Sequence, residues 1–290
     1  MRIAIASGKG GTGKTFVTVN LARSLGMPVT VLDCDVEEPN SNLFLHGDLV
    51  SQSRVSVCVP HVLEDACTGC RVCADACQFN AIAVIGRKPL VFEDMCHSCG
   101  VCTTLCPHDA LIEVPHEIGT VTVRQSQHVS LVEGLLDVGK ALAVPVIRQV
   151  KGQVGADTDH PVLIDAPPGT SCPMVWAVDG CDAVVLVAEP TAFSLHDLTL
   201  AVDTVREVGV SFGVVINKDG LGDDRVARYC ESEGIPILGR IPFDLDIARR
   251  YATGALIVDK EPRYRDLFLQ MWQSITHLAQ IGGNRDESLA

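Results

Sequence analysis

Two cysteine runs of identical spacing constrain this chain more than any other feature. Cys67, Cys70, Cys73 and Cys77 read C-x2-C-x2-C-x3-C, and Cys96, Cys99, Cys102 and Cys106 repeat the pattern 29 residues downstream. The likeness extends past the cysteines, since Cys77-Gln78-Phe79-Asn80-Ala81-Ile82 aligns with Cys106-Pro107-His108-Asp109-Ala110-Leu111. Between about Val57 and Gly119 helical periodicity vanishes, so this stretch reads as an insertion in the surrounding fold. Thirteen cysteines would imply disulfides in a small secreted chain. Here eight fall into two ligand-like clusters and no export signal is visible, so they read as thiolate metal ligands. The other five, Cys34, Cys58, Cys172, Cys181 and Cys230, are expected to be mostly small buried apolar residues.

At 290 residues, 47% of them hydrophobic, the chain has room for one large domain and a small one. Short apolar runs read as strands at 2–7, 29–33, 162–165, 183–188, 213–217 and 235–239. Helical patterns fall at 14–25, 194–208, 223–233 and 262–279. Continuous apolar strands alternating with helices predict an α/β fold with a mostly parallel sheet and helices on both faces. Residues 1–56 and 120–290 would form this domain, with 57–119 inserted. The tail from Gly282 to Ala290 is expected to be frayed.

The first strand runs into Gly8-Lys9-Gly10-Gly11-Thr12-Gly13-Lys14-Thr15, followed by a helix. In a strand, G-x4-G-K-[ST], helix arrangement, backbone N–H groups wrap phosphate oxygens at the helix N-terminus. Lys14 is expected on the β- and γ-phosphates of ATP, or the β-phosphate of ADP, and the Thr15 hydroxyl on Mg2+.

Lys9, directly after the first loop glycine, gives G-K-G-G-T-G-K-T, which resembles the deviant P-loop of the MinD/Mrp/nitrogenase-iron-protein class of ATPases. That resemblance implies a nucleotide-dependent homodimer in which Lys9 reaches the partner subunit's phosphates; a surface lysine on a mobile loop is the alternative. It further implies that Asp35, in the switch-like Leu32-Asp33-Cys34-Asp35 segment, positions the attacking water, with Asp33 supporting the Mg2+ shell. Val162 to Thr170 is similar to a Walker B strand and second switch, in which Asp165 holds Mg2+. A carboxylate at the C-terminal end of a strand in an open α/β sheet faces the ligand crevice, although an Asp there can also cap a helix. Asn217, with Lys218, occupies the position that recognises adenine in the class, and Pro242 with its neighbours Arg240 to Phe243 would close the other side of the base. An Asn after a strand is equally a turn residue.

The doubled C-x2-C-x2-C-x3-C run resembles bacterial two-cluster ferredoxins, where the fourth Cys of each run ligates the other cluster. That implies one [4Fe–4S] centre on Cys67, Cys70, Cys73 and Cys106 and a second on Cys96, Cys99, Cys102 and Cys77. Structural zinc is the competing reading. Gln78 replaces the proline usual after the fourth Cys, whereas Pro107 retains it. Cys172 lies at the offset from Asp165 where the nitrogenase iron protein places a ligand to an intersubunit cluster, but no second cysteine is convincingly placed, and a buried thiol is the alternative.

A formal charge of −13 argues against nucleic acid as a partner. No apolar run approaches the ~20 residues needed to cross a bilayer, and the start lacks a signal-peptide core, so a cytoplasmic protein without a membrane role is expected. The resemblance implies an ATPase that couples a nucleotide-driven switch to electron transfer through two clusters to a redox client. A scaffold or carrier that assembles a metallocofactor on a client is the alternative, although the carriers' C-terminal Cys-x2-Cys is missing. A MinD-like positioning factor and an amide-forming ATPase rank below both, for want of an amphipathic C-terminal helix and of a glutaminase domain.

Overall fold

The computed structural model describes residues 1–155 and 158–286. The first half runs β1 (Arg2–Ala6), α1 (Lys14–Leu25), β2 (Val29–Asp33), β3 (Asp48–Val62), α2 (Val72–Ala76), β4 (Ile82–Ile85), β5 (Lys88–Val91), α3 (Val101–Thr104), β6 (Leu111–Gln125) and β7 (Val129–Leu136). Then come α4 (Ala143–Lys151), β8 (Val162–Asp165), α5 (Cys172–Val178), β9 (Ala183–Ala188), α6 (Ala192–Val208), β10 (Phe212–Asp219), α7 (Arg225–Ser232), β11 (Ile237–Pro242), α8 (Leu245–Tyr251) and α9 (Pro262–Asp286).

Nine strands make one sheet in the order β11-β10-β9-β1-β8-β2-β7-β6-β3. From β11 to β7 every neighbouring pair is parallel, while β6 is antiparallel to both β7 and β3. The parallel strands are unbroken apolar runs because helices cover both faces. Alternation sends Ile3 and Ile5 into one apolar cluster with α1 and α9, and Ala4 and Ala6 into another with α4, α5, α6 and α7. Phe268 of α9 is fully buried; truncating such a side chain costs about 3–5 kcal/mol.

The sequence reading omitted β3, β6, β7 and α4. Over Asp48–Arg54 the β3 side chains are exposed, so that half carries no burial pattern, while the alternation Val55-Ser56-Val57-Cys58-Val59 in the second half is a strand signal the sequence reading passed over. Both β3 and β6 continue through positions 57 and 119, with a register shift between Val55 and Ser56. Their far ends pair Val62 with Leu111, beside a separate β4–β5 hairpin that pairs Ile82 with Val91. The tail also differs from expectation: α9 continues to Asp286, so residues 282–286 are helical, and 287–290 lie outside the described residues. Among the described residues no helix is long and apolar enough to cross a membrane.

Candidate functional site

The loop 8–13 leaves the C-terminal end of β1, in the middle of the sheet, and α1 begins at Lys14. Gly13, at φ 98°, precedes α1, whose first turn has no side-chain cap, so its N-terminal amides open into a cavity of about 570 Å3. That volume suits a small-molecule site, and the open amides with the positive end of the helix dipole suit an anion. Gly10, Gly11, Gly13, Lys14 and Thr15 line it. Gly8 does not line it, but a Cβ there would sit 2.0 Å from the Asp197 carbonyl oxygen of α6, so only glycine lets the loop lie against that helix. Thr12 does not line the cavity either, and its hydroxyl is buried with no partner.

Three carboxylates gather at the ends of β2 and β8, where Asp33 and Asp165 are in register. Asp165 is fully buried; its Oδ2 accepts the Thr15 hydroxyl at 2.6 Å, and Thr18 approaches Oδ1 at 3.5 Å. Burial, then the charge of Asp33, pushes the Asp165 carboxyl well above the usual range, although the Thr15 bond and Lys14 oppose this. A divalent cation at Thr15 and Asp165 would relieve that cost. Asp35 lines the cavity, and burial raises it to about 6 against the opposing pull of Lys14.

Asp33 has a structural task of its own beside Asp165. Its carboxylate accepts the backbone N–H groups of Asp35 at 3.2 Å, Asn40 at 3.1 Å and Ser41 at 3.0 Å, so it staples the loop that carries Asp35. Asn217 also lines the cavity, yet both ends of its amide are engaged. Nδ2 donates to the Thr12 carbonyl at 2.8 Å, and Oδ1 accepts the Lys218 N–H at 2.9 Å. These bonds use one N–H and one lone pair of the amide, so Asn217 braces the phosphate loop and keeps a second donor and a second acceptor for a base edge. Lys218 and Pro242 line the cavity, with Phe243, Ile247 and Tyr251 beside them, while Arg240 turns away toward Asp219. Lys9 does not line its own chain's cavity. The sequence reading missed the apolar wall from α8, where Tyr251 stacks on Phe44 with centroids 4.7 Å apart. No motif marks it; only the nearness of α8 to Pro242 hinted at it.

The eight cysteines line two further, small cavities. Cys67, Cys70, Cys73 and Cys106 line one, and Cys96, Cys99, Cys102 and Cys77 line the other. The backbone repeats with the sequence. Left-handed conformations recur at Gly69 and Ser98, Arg71 and Gly100, and Asn80 and Asp109. The Ala81 N–H donates to Cys77 Sγ and the Ala110 N–H to Cys106 Sγ, each at 3.3 Å. Among the described residues no three His, Cys, Asp or Glu side chains group as a single-ion site. Of the remaining cysteines only Cys34 and Cys230 are buried; Cys58 and Cys172 are exposed, because they stand on an edge strand and at the start of α5.

Residues 3–257 match the family described as the CobQ/CobB/MinD/ParA nucleotide binding domain. An uncharacterized protein of Methanocaldococcus jannaschii is 32% identical over 279 residues, 95% of this chain and 96% of its own length. A protein of Pyrococcus furiosus named iron-sulfur cluster carrier protein is 25% identical over 278 residues, 89% of this chain and 79% of its own. The structure of the septum site-determining protein MinD with Mg-ADP from Pyrococcus horikoshii superposes with a TM-score of 0.59 at 23% identity, covering 97% of this chain and 98% of that one, a likeness of fold. With its phosphate loop, mostly parallel sheet and these matches, the chain belongs to the CobQ/CobB/MinD/ParA nucleotide-binding family.

Proposed function

We propose that this chain hydrolyses ATP as a nucleotide-dependent homodimer and uses the resulting switch to control electron delivery to a partner protein through two [4Fe–4S] clusters. The observation that carries the reading is the make-up of the two small cavities: each gathers three cysteines of one run and the fourth of the other. A cubane carries each thiolate on its own iron, so it asks for four sulfurs around a void, not for convergence on one point. When bound, such clusters supply one-electron transfer. Cys67, Cys70, Cys73 and Cys106 would hold one, and Cys96, Cys99, Cys102 and Cys77 the other.

At the phosphate site Lys14 and the α1 amides bind the β- and γ-phosphates, and Mg2+ held by Thr15 and Asp165 would neutralise developing charge. Asp35, a carboxylate at neutral pH, accepts a hydrogen bond from the attacking water and orients it. Lys9, absent from its own chain's cavity, is free to reach the partner subunit's phosphates.

The loop bearing Asp35 is tied to the cysteine segment by short paths. The Val36 carbonyl accepts the Leu136 N–H at 2.8 Å, and Leu136 pairs with Gly119 of β6, which leads back to Cys106. Lys140, three residues before α4 and its cavity-lining Ala143, bonds Asp94 at 2.5 Å and His116 at 2.8 Å, close to Cys96.

Anaerobic purification should give about eight irons per chain, and transfer from the reduced protein to its acceptor should depend on MgATP. Equal transfer rates with and without MgATP would refute the coupling. The name of the Pyrococcus furiosus relative favours a second reading, an ATP-dependent cluster carrier. Iron that moves from this chain to an apo-acceptor would support the carrier; iron retained through many electron-transfer cycles would exclude it.

A further inference from the structure

The two cysteine cavities are related residue by residue by the 29-residue repeat, so each is a control for the other. Pro60 and Pro89, Ala81 and Ala110, and Ile82 and Leu111 are matched pairs at equivalent places. Each cavity also has one histidine in its lining, His108 in the first and His97 in the second, so those offset one another.

Three equivalent positions differ in charge in one direction, while two carboxylates outside the lining run the other way: Asp75, 4.0 Å from Arg71, where the repeat has Thr104, and Asp109, where it has Asn80. Glu113 lines the second cavity, near the Thr103 hydroxyl at 3.4 Å, where the first has Val84. Arg71 lines the first cavity, its Nη1 donating to the Val84 carbonyl at 3.4 Å, where the second has Gly100. Arg87 lies over Thr68 and Gly69 of the first cavity, its Nε donating to the Thr68 carbonyl at 3.4 Å, where the second cavity has Cys58. The first cavity is therefore flanked by two guanidiniums, and the second by a carboxylate and a thiol.

Adding an electron to a cluster adds negative charge, which nearby cations favour and carboxylates oppose. Resting on the cluster reading above, we propose that Arg71, Arg87 and Glu113 split the reduction potentials of the two centres. The centre held by Cys67, Cys70, Cys73 and Cys106 takes the first electron. A hydrogen bond also opposes the split: the Ser98 N–H reaches Cys96 Sγ at 3.4 Å, with no matching bond at Cys67 among the described residues. A long N–H···S bond is weaker than a full charge, so the three charged positions decide the order.

The test is a potentiometric titration of the anaerobic full-length protein with dithionite, followed by electron paramagnetic resonance. Iron is counted first: far fewer than about eight irons per chain refutes the cluster reading itself. With the irons present, two one-electron waves are expected, the half-reduced form favouring the first centre by about tenfold or more, ~59 mV per tenfold for one electron. Glu113→Gln should raise the lower wave and leave the upper in place. Arg71→Gln with Arg87→Gln should lower the upper wave alone. A single wave in the unaltered protein overturns the proposal, as does an upper wave that moves with Glu113→Gln.

Discussion

Replacing Asn217 by Ala separates the two roles this side chain could play. In the structure its amide bonds the Thr12 carbonyl at 2.8 Å and the Lys218 N–H at 2.9 Å, and the first contact is buried. Removing the amide strands one buried backbone acceptor and one half-buried donor. A stranded buried group costs ~1–3 kcal/mol, and water can reach the donor, so the total should be about 2 kcal/mol. That predicts a melting temperature lower by roughly 3–6 °C in the absence of nucleotide. Where binding must restore the loop, 2 kcal/mol weakens affinity by about thirtyfold, since each 1.4 kcal/mol is tenfold. A loop brace acts on the phosphates, so ADP and GDP should weaken alike. Thermal melting of the nucleotide-free protein and calorimetric titration with each nucleotide measure these quantities. An unchanged melting temperature together with lost discrimination between ADP and GDP would refute the brace and restore base recognition.

The crossed cysteine sets predict that Cys67→Ser with Cys106→Ser leaves one intact centre and about four irons, whereas Cys67→Ser with Cys77→Ser disturbs both centres; equal iron and spectra in the two double variants would rule out the crossing. The Asp35 carboxyl, raised to about 6 by burial, keeps its proton longer when folded than when unfolded. Its contribution to stability is therefore complete below about pH 4 and is lost as pH rises toward 6. Without Mg2+, the melting difference between the unaltered protein and Asp35→Asn should fall from pH 5 to 7, and a flat difference would contradict the assignment. Lys140→Ala should leave nucleotide affinity unchanged and raise amide exchange at 93–96, the segment its bond to Asp94 restrains; unaltered exchange would show that the bond restrains nothing.

How much of this was legible in the sequence depended on the type of interaction. Strands β1, β2, β8 and β9 are buried on both faces, so each is an unbroken apolar run that a reader of the sequence can find. The first half of strand β3 is exposed and held by its ladder with β6, a backbone interaction that leaves no pattern in side chains, whereas Val55, Val57 and Val59 in its second half alternate as a half-buried strand does. The phosphate loop and the cysteine runs were legible because their chemistry fixes spacing within a few residues. The bracing bonds of Asp33 and Asn217, residues named there for other roles, were not, because they reach the backbone of Asn40 and Ser41 in one case and of Thr12, 205 positions away, in the other. The apolar wall from Phe243, Ile247 and Tyr251 lacks any short motif and is assembled only when β11 and α8 fold against α1.

Under the proposed coupling, the relative stiffness of the two links between nucleotide loop and cysteine segment decides which transmits movement. Lys140 and Asp94 form an ion pair whose acidic side chain is 67% exposed, and exposed pairs of this type contribute about 0–1 kcal/mol and are screened by salt. The other link is backbone throughout: Val36 to Leu136, Leu136 to Gly119, then the β6–β3 ladder to Leu111 and Val62. A Cβ on Gly119 would lie 2.6 Å from the Leu135 carbonyl oxygen, so the strands are pressed together where the path crosses from β7 to β6. One register shift interrupts the ladder between Val55 and Ser56, opposite that same point. Bulges bend the strand that carries them and sharpen its twist. A small displacement of Val36 therefore enters the ribbon at its bend, where rotation is easiest, and the regular ladder beyond carries it to both cysteine cavities as a rigid lever.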